Sequence, residues 1–490
     1  MRLEVFPINI TAIKQAFPDT NIPDVESYYN THIEEWKNIF ENNPPWKKVK
    51  ICGLYKKGDR DINRLNVGKV LCDCFADLSF AEQCEITLDD KEYQEYVENV
   101  LEQNGFWENM PETISNAYAL GGCAVKVFVK KGFPAIDFVH GDKFLPVEWN
   151  GKNVTAGAFV TVTRRNDYYY TLVEMQKTGK AMYKLFRSAN SSYIGTECNL
   201  SELYSFSDST DYKSDVPMFA YFRPCVSNNA EYDTPLGMSI YANSVDTLKA
   251  LDTTFDSFAR EFILGKKRIT VPSSAIQTVI DSKTGKLVQY FDTDDEVFVA
   301  LSANERDELK ITDNTTNLRI AEHVSGINAL LNILCFQVGL SAGTLSFDAV
   351  QGMKTATEVV SQDSKTARTI KSNKNLLTEM IETIVHAIIA AGIHCGHLTK
   401  KNYSVTVGFK DNIIIDDNTL IDNNIKLVQA GLKSKIKAIM EVQKCDEKTA
   451  QEELKRIIKE QDVSGLSVDD FLGGDENDQT GADEPQSGLE

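Results

Sequence analysis

Apolar residues recur along this chain in two patterns, one typical of helices and one typical of strands. Residues 1–125 carry them at mostly helical spacing, most clearly from Val25 to Asn42, and Pro44-Pro45 follows that segment. Further amphipathic helices are predicted at 63–76, 93–104 and 109–119. From Gly121 apolar and polar positions alternate, which predicts an antiparallel sheet of about 90 residues. Helices followed by strands predict an α+β fold.

A long helix is predicted from Ile240 to Leu264. A turn at Pro235 and Gly237 precedes it, and Ser239 is the predicted N-cap. Apolar residues then recur at steps of three or four, which gives a near-heptad stripe. At 1.5 Å per residue this helix spans roughly 38 Å. Gly265 is a suitable residue for ending it.

Two more helices are predicted after an insert that favours strands. Residues from Lys266 to Ile311 predict short strands and turns, and apolar spacing predicts a helix from Asn317 to Val338. Glycines at 339, 343 and 352 interrupt the pattern before a helix from Thr355 to Ala391, of about 37 residues or roughly 55 Å. A globular domain rarely needs so long a helix, and an elongated subunit of an assembly does.

The C-terminal part of the chain predicts one strand and three helices. The strand is Tyr403 to Phe409, and the helices are 417–430, 434–442 and 447–460. Residues 461–490 carry nine acidic residues, no Lys or Arg and several glycines, which predicts a disordered acidic tail.

Composition narrows the function classes. The net charge is −19, the opposite of the balance usual in proteins that hold nucleic acid tightly. Transient contact with DNA remains compatible with local basic groups. The ten cysteines are scattered through a long chain without a signal peptide, which favours reduced thiols.

The most apolar stretch, Leu376 to Ile393, predicts a buried helix and not a membrane span. Glu379, Glu382 and His386 lie within it, and charges near the middle of a span are costly.

Motifs for catalysis are missing from the sequence. No Gly-x4-Gly-Lys-Ser/Thr loop is present, since Asp59 follows Gly58, and neither Gly-x-Ser-x-Gly nor His-Glu-x-x-His occurs. We therefore predict no catalytic residue and no cofactor. The acidic run from Asp292 to Glu296 suits either a divalent cation or, more simply, a solvated turn.

Two Cys and His groups invite a zinc interpretation. Cys72 and Cys74 form one, and the segment His394-Cys395-Gly396-His397 forms the other. Neither has the spacing of a zinc finger, and we predict no metal site.

Two basic features have both a functional and a structural interpretation. Lys266, Lys267 and Arg268 suit contact with DNA phosphates or an acidic partner, but also a solvated helix end, where cations complement the macrodipole. Lys354 ends the glycine-marked loop and is either solvated or directed at phosphates.

The order of these elements resembles the phage portal proteins of the siphophage type found in Gram-positive hosts. The residues that carry the resemblance are Pro235-Leu-Gly-Met-Ser-Ile-Tyr241, Gly339-Leu-Ser-Ala-Gly-Thr-Leu-Ser-Phe-Asp348, Met353-Lys-Thr-Ala-Thr-Glu-Val359, Ile136-Asp-Phe-Val139, Phe144-Leu-Pro146 and Trp149. The resemblance covers most of the chain. The order of the elements is a sheet domain, a long helix, an insert, a helix, a loop, a second long helix and a helical C-terminus.

The resemblance implies an elongated multi-domain portal fold with an antiparallel β wing region, a small α/β clip and a helical crown. Its regions are a wing (1–238, with a long wing helix at 355–395), stem helices (239–264 and 317–338), a clip (265–316), a tunnel loop (339–354), a crown (396–460) and the acidic tail (461–490).

The resemblance also implies partners and contact residues. It implies a ring, typically of about twelve subunits, at one capsid vertex of the virion, assembled in the host cytoplasm. The ring would contact a terminase motor, a head-completion or adaptor protein, major capsid and scaffolding proteins and, transiently, double-stranded DNA, but no membrane. Residues expected to face DNA are Ser341, Gly343, Thr344, Phe347, Gln351, Gly352 and Lys354, and those expected to contact a partner or DNA at the clip are Lys266, Lys267 and Arg268.

An acidic subunit suits a channel through which DNA slides. Each firm phosphate contact adds affinity, so a lumen with few basic groups lets DNA move. Two other interpretations remain at this point: a metal-dependent phage nuclease that uses Asp292 to Glu296, and a capsid-associated minor structural protein.

Overall fold

The computed structural model divides the chain into two compact units. The first unit comprises Met1–Gly352 and Asp363–Lys410, and the second comprises Met353–Gln362 and Asp411–Glu490. The structure describes residues 10–52, 57–80, 84–190, 193–204, 206–265, 269–270, 277–280, 287–290, 312–313, 317–347, 364–409, 417–443 and 447–464.

Helices dominate the beginning of the first unit, as their apolar spacing predicts. The elements are α1 (Ile10–Ala16), α2 (Glu26–Tyr28), a π-helical turn (Tyr29–Ile33), α3 (Glu34–Phe40), β1 (Lys48–Cys52), β2 (Lys57–Asp61), α4 (Val67–Phe80), β3 (Cys84–Leu88), α5 (Lys91–Gln103) and α6 (Phe106–Leu120). The predicted helices are confirmed, with ends shifted by up to four residues. The antiparallel β1–β2 hairpin is an addition that helical spacing did not predict.

Two antiparallel sheets follow, where the alternating pattern predicted one. Their strands are β4 (Cys123–Lys130), β5 (Phe133–His140), β6 (Phe144–Asn150), β7 (Asn153–Arg165), β8 (Tyr168–Lys177), β9 (Lys180–Ser188), β10 (Thr196–Cys198), β11 (Ser209–Asp211) and β12 (Phe219–Phe222). One sheet has the order β12-β4-β5, and the other has the order β10-β9-β8-β7-β6 with β11 also paired to β9. A 3₁₀ turn at Gly141–Lys143 separates β5 from β6, so the chain changes sheets there.

A buried ionic group connects the two sheets. Lys126 of β4 places its Nζ 2.7 Å from Glu174 of β8 and 3.3 Å from Asp137 of β5. Burial lowers the pKa of Lys126, but the two carboxylates outweigh burial and leave this pKa above its ordinary value. The lysine therefore stays charged, and loss of its buried partner Glu174 would leave this charge compensated only by the half-exposed Asp137.

The long helix predicted from Ile240 begins later, as α7 (Val245–Leu264). Residues before it form a turn and a 3₁₀ segment, Ala242–Ser244. The predicted N-cap Ser239 is therefore wrong: its hydroxyl is buried, donates to the carbonyl of Tyr118 at 3.3 Å and accepts from the amide of Tyr241 at 3.4 Å. The helix ends before Gly265, as predicted, and the Gly265 amide donates to the carbonyl of Glu261.

The insert after α7 contains paired short strands, as predicted. β13 (Ile269–Thr270) pairs with β16 (Thr312–Asp313), and β14 (Gln277–Ile280) pairs with β15 (Leu287–Tyr290), all antiparallel. The predicted hairpin turn around Gly285 lies between β14 and β15 but outside the described residues, as do the predicted strand after Glu296 and the acidic run at 292–296.

Two long helices complete the first unit, α8 (Ile320–Val338) and α9 (Ser364–His394). α8 packs beside α7, and α9 packs on α4, α5, β4, β5 and β12. The predicted start of the second helix at Thr355 lies outside the described residues. By length and composition Lys365–His394 is apolar enough to cross a membrane, but 56% of its most apolar window is buried inside the protein. That burial is typical of a core helix.

The predicted strand near residue 403 is confirmed as β17 (Val405–Phe409) and closes the first unit. It pairs antiparallel with β3, and Val405 is opposite Leu88. The hydroxyl of Tyr93 in α5 donates to the carbonyl of Thr399 at 2.6 Å, so α5 also contacts the segment before β17. Residues 396–409 therefore belong with the first unit and not with the helices that follow.

The second unit contains three described helices, α10 (Asp417–Gln429), α11 (Lys435–Gln443) and α12 (Glu447–Ser464). Their existence and bounds match the prediction closely. α12 continues four residues past the predicted boundary at 460, because Gly465 is the first helix-breaking residue in that stretch.

Candidate functional site

The pair of long helices α7 and α8 is the feature around which the candidate site is built. α7 is fixed to residues 46–65, which include the β1–β2 hairpin, through two aspartates. Asp252 accepts from the Trp46 indole at 2.9 Å and from the Leu65 amide at 3.0 Å. Burial raises the pKa of Asp252 above its ordinary range.

Asp256, one turn further along α7, forms a bidentate pair with Arg60. The two guanidinium contacts measure 2.8 and 2.6 Å, and the Asn63 amide donates to the same carboxylate at 3.0 Å. The hydrogen bonds from Arg60 lower the pKa of Asp256 to about 2, so this carboxylate is ionised at neutral pH. Arg60 lies in β2, so the unpredicted β1–β2 hairpin positions α7.

A second bidentate pair links the other end of α7 to the beginning of α8. Arg319 Nε lies 3.1 Å from Glu261 Oε1, and Arg319 Nη2 lies 2.9 Å from Oε2. The Arg319 hydrogen bonds lower the pKa of Glu261 to about 2. His323 Nε2 lies 3.8 Å from the same carboxylate. These contacts hold the two helices together where the insert of residues 265–316 leaves them and returns.

The apolar stripe predicted on α7 loses burial along the helix. Leu248 and Leu251 are buried, Phe258 is half-buried, and Phe262 and Leu264 are exposed. Phe258 lies at the centre of a ring cluster, with centroid distances of 5.3 Å to Phe262, 5.9 Å to His323 and 6.2 Å to Phe347.

α8 likewise has one face buried within the subunit and one face exposed. Ile327, Leu331 and Leu334 are buried, whereas Ile333 and Phe336 are 49% and 74% exposed. Lys365 of α9 places its Nζ 4.4 Å from the centroid of the Phe336 ring, a cation–π contact, and donates to the Phe336 carbonyl at 2.9 Å. Apolar surface at this helix pair therefore remains for another molecule to cover.

The segment after α8 turns back along that helix. Gly339 adopts a left-handed conformation with φ of 86°. The Gly343 amide then donates to Asn332 Oδ1 and the Phe347 amide to Asn328 Oδ1, both at 2.8 Å. Four residues forward in the segment correspond to four residues backward in α8, so residues 343–347 run antiparallel to the helix.

Ser341 joins this segment to the start of α9. Its amide donates to Thr366 Oγ1 at 2.9 Å, and the two hydroxyls lie 3.2 Å apart. Thr369 also donates to the Gly339 carbonyl at 2.8 Å. The side chain of Ser341 is buried within the subunit and bonds to α9.

The other residues predicted for the loop and the clip divide into two groups. Gly343, Thr344 and Phe347 lie on the anchored segment, and Thr344 donates to the Ser341 carbonyl at 2.8 Å. Gln351, Gly352, Lys354, Lys266, Lys267 and Arg268 lie outside the described residues.

The sequence motif around Gly237 holds the beginning of α7 against α6. Gly121 has φ of 85°, and a Cβ built on Gly237 would lie 2.0 Å from the Gly121 carbonyl oxygen. Tyr28 donates to the Gly237 carbonyl at 2.9 Å, and Tyr241 donates to the Trp36 carbonyl at 2.8 Å. Only glycine fits this backbone approach.

A comparison with protein families identifies this arrangement. The family model described as "Phage portal protein, SPP1 Gp6-like" matches residues 20–464. The chain belongs to the SPP1 Gp6-like family of phage portal proteins. Membership makes this portal subunit a structural component of the virion, at a vertex of the capsid. No curated protein sequence matches the portal subunit.

Solved structures with similarity to the portal subunit come from gene transfer agent (GTA) particles. A chain of the "Virion of native gene transfer agent (GTA) particle" has 9% identity and a TM-score of 0.42, and the match covers 77% of this chain and 89% of that chain. A chain of the "Neck of empty GTA particle computed with C6 symmetry" has 10% identity, a TM-score of 0.41 and the same coverage.

Among the described residues of this portal subunit, no three His, Cys, Asp or Glu side chains are placed to hold a metal ion. In the two groups considered for zinc, Cys72 is buried and its pKa is raised by burial, so its thiol stays protonated. His397 contacts the Tyr96 hydroxyl at 3.0 Å, and the His394 ring packs on Tyr212 at 5.2 Å. Each imidazole therefore has a packing partner of its own.

Sequence reasoning missed the polar residues that anchor the portal helices. Asn328 and Asn332 interrupt the apolar pattern of α8, and they lie four residues apart. Glu261 likewise interrupts the apolar pattern near the end of α7. Polar residues one turn apart on a mostly apolar helix are the signal that could have indicated a segment bound along it.

Proposed function

We propose that about twelve copies of the chain form a closed ring, and that the channel of this ring carries double-stranded DNA during packaging and ejection. The ring is a conduit and docking platform and performs no catalysis itself. Family membership supports this function over a phage nuclease or a minor capsid protein.

The observation that carries the proposal is the α7–α8 pair with its exposed apolar face. Phe262, Ile263, Leu264, Ile333 and Phe336 are between 43% and 74% exposed on one helix pair. Phe262, Ile263 and Leu264 lie near the end of the pair where Arg319 contacts Glu261, and Ile333 and Phe336 lie near the other end, where Thr247 contacts Gln337. Large apolar side chains are therefore exposed at both ends of the pair, as is typical of a surface that another molecule covers. Repeated head-to-tail contacts in a ring cover this surface on every subunit.

We assign the regions of the ring from the way the elements pack. α7 and α8 are the stem, and residues 265–316 between them are the clip. Residues 1–238 with α9 are the wing, because α9 packs on elements of that region. The crown consists of the second unit, from residue 411, and residues 396–409 join the wing through β17.

The tunnel loop, residues 339–354, has an anchored part and a part that faces DNA. Backbone amides of residues 341–347 donate hydrogen bonds to the side chains of Asn328, Asn332 and Thr366, so those residues position the loop. We assign the DNA-facing role to Gln351, Gly352 and Lys354. A single lysine per subunit adds few phosphate contacts, which keeps DNA free to slide.

The clip contacts the terminase motor during packaging and a head-completion or adaptor protein afterwards. Lys266, Lys267 and Arg268 directly follow α7, and they supply positive charge for an acidic partner or for DNA. Major capsid and scaffolding proteins contact the wing during assembly, which takes place in the host cytoplasm before the ring becomes part of the virion.

Electron microscopy of the purified full-length protein tests the ring. We expect closed rings with a central hole and a single rotational symmetry in projections along the axis. A protein that stays monomeric across protein concentration and ionic strength contradicts the proposal.

Deletion of residues 348–353 tests the channel. Because residues 341–347 are anchored independently, rings should form normally while DNA packaging in particles falls by at least about tenfold. A control variant replaces Lys130 and Lys131, at the β4–β5 turn, with alanine, which should leave packaging unchanged. Normal packaging by the deletion variant would remove the loop from the function.

A further inference from the structure

The three helices of the second unit leave an apolar groove open between them. The groove has a volume of about 390 Å³ and is lined by α10, α11 and α12. Its apolar lining residues are Ile421, Ile425, Val428, Ala438, Ile439, Val442, Leu454, Ile457 and Ile458. Several of them face solvent, since Ile425 is 40% and Ile458 is 49% exposed.

This groove lies where the core of the unit should be. Among the described residues of the unit, only Asn424 and Ala450 are buried. Helices of this length depend on burial of an apolar face, because their intrinsic propensity alone gives marginal stability in water. An apolar segment that enters the groove would supply the buried contacts that the described residues of these helices lack.

We propose that the chain's own C-terminal tail fills the groove, with residues 466–472 as the inserted segment. Their sequence is Leu466-Ser-Val-Asp-Asp-Phe-Leu472, which contains four large apolar residues within an otherwise polar and acidic tail. The remaining residues, 473–490, contain one large apolar residue, Leu489. The inserted segment is thus the part of the tail with enough apolar surface to bind.

The covalent connection places this segment within reach. α12 ends at Ser464, six residues beyond the groove residue Ile458, a distance of about 9 Å along the helix. Gly465 permits a reversal of the chain. Seven extended residues then span up to about 24 Å, which is enough to return past Ile458 and Leu454. A tethered segment also has a millimolar effective concentration, which favours it over free competitors.

Charge favours the same occupant. Lys435 and Lys437 lie at the start of α11, and Lys435 lines the groove, whereas Lys433 is paired with Glu441. The inserted segment carries Asp469 and Asp470, and residues 465–490 contain no Lys or Arg. The groove of a second copy has the same lysine and no carboxylate among its lining residues, so it lacks this complementarity.

Hydrogen–deuterium exchange on the full-length ring tests the proposal. The variant replaces Leu466, Phe471 and Leu472 with serine, positions outside the three helices. We expect backbone amides of α10 and α11 to exchange about tenfold faster in this variant, and amides of 466–472 to lose their own protection. The matched control ends the chain after Gly474, which removes the acidic remainder and should leave both regions as in the wild type.

A reciprocal variant gives an independent readout. Ile425→Asp places a charge in the groove and should release the tail, so that amides of 466–472 exchange at the rate of an unstructured peptide. Two results overturn the proposal. One is rapid exchange of 466–472 in the wild type. The other is unchanged protection of α10 and α11 in the serine variant, which means that a neighbouring subunit covers the groove.

Discussion

Gly237 and Gly121 show how closely single residues determine the position of the turn before α7. Their backbones cross between α6 and the turn before α7, and the carbonyl of Gly121 occupies the space that a Cβ on Gly237 would need. Tyr28 and Tyr221 both hydrogen-bond to Gly237, at 2.9 and 3.1 Å. The position therefore demands glycine for reasons of space and not only of backbone freedom.

Gly237→Ala should lower the stability of the protein by about 1–3 kcal/mol, because two packed backbone segments must separate. Chemical denaturation followed by circular dichroism measures the change. Gly326→Ala is the control, since a Cβ there meets nothing within 4 Å and α8 should gain about 0.5–1 kcal/mol. Equal stability of the two variants would contradict the role of the crossing.

Serine residues illustrate what composition could not decide at this scale. Ser239 and Ser341 occupy positions where a sequence predicts a helix cap and an exposed loop, respectively. In the structure both are buried and bond to distant elements, Tyr118 and Thr366. A hydroxyl has the same sequence signal whether it caps a helix locally or bonds across the fold, so only tertiary contacts separate these roles.

At the scale of elements, the segment 341–347 behaves as an attachment to α8. Replacing Asn328 and Asn332 with alanine removes two acceptors, each contributing about 1 kcal/mol. We expect faster limited proteolysis and faster amide exchange within 341–347, while α8 itself keeps its protection. Asn99→Ala in α5 is the control, because the Asn99 side chain bonds to the carbonyl of Glu95 in its own helix, one turn before it.

An unchanged proteolysis rate in the Asn328 and Asn332 double variant would mean that Thr366 alone fixes the segment. Adding Thr366→Val then distinguishes the two anchors, since this change keeps the shape of the side chain and removes its hydrogen bonds.

The type of an element was predictable wherever a regular spacing of apolar residues extended over many positions. α7, α8 and the three helices of the second unit appear close to their predicted bounds, as does strand β17. What failed were features that depend on distant partners. One alternating run forms two sheets because a 3₁₀ turn redirects the chain, and the β1–β2 hairpin is fixed by Asp256 nearly two hundred residues away.

For the whole molecule, the exposed apolar face of the stem makes a prediction about assembly. Phe336→Ser should weaken each contact between subunits by about 1–3 kcal/mol, as loss of a buried aromatic anchor does, and so shift rings toward monomers at low concentration. Mass photometry over a dilution series measures the ring fraction. Tyr193→Ser is the control, since Tyr193 is similarly exposed, at 65%, but lies beside the wing sheet.

Rings that dissociate equally with either substitution would argue against the stem as the main contact. If Phe336→Ser leaves the oligomer unaffected, the Phe336 side chain contacts Lys365 of its own subunit and does not contribute to the interface.

The pairing of β17 with β3 has a consequence for the timing of synthesis. Val405 and Leu88 are partners 317 positions apart in the chain. At ordinary elongation rates a ribosome needs about 15–60 s to travel that distance. During this interval β3 has no partner, and the surface that will receive α9 is uncovered. A nascent chain therefore cannot form the β3–β17 pair until residue 409 has been synthesised, so any contact that depends on this pair has to wait until then.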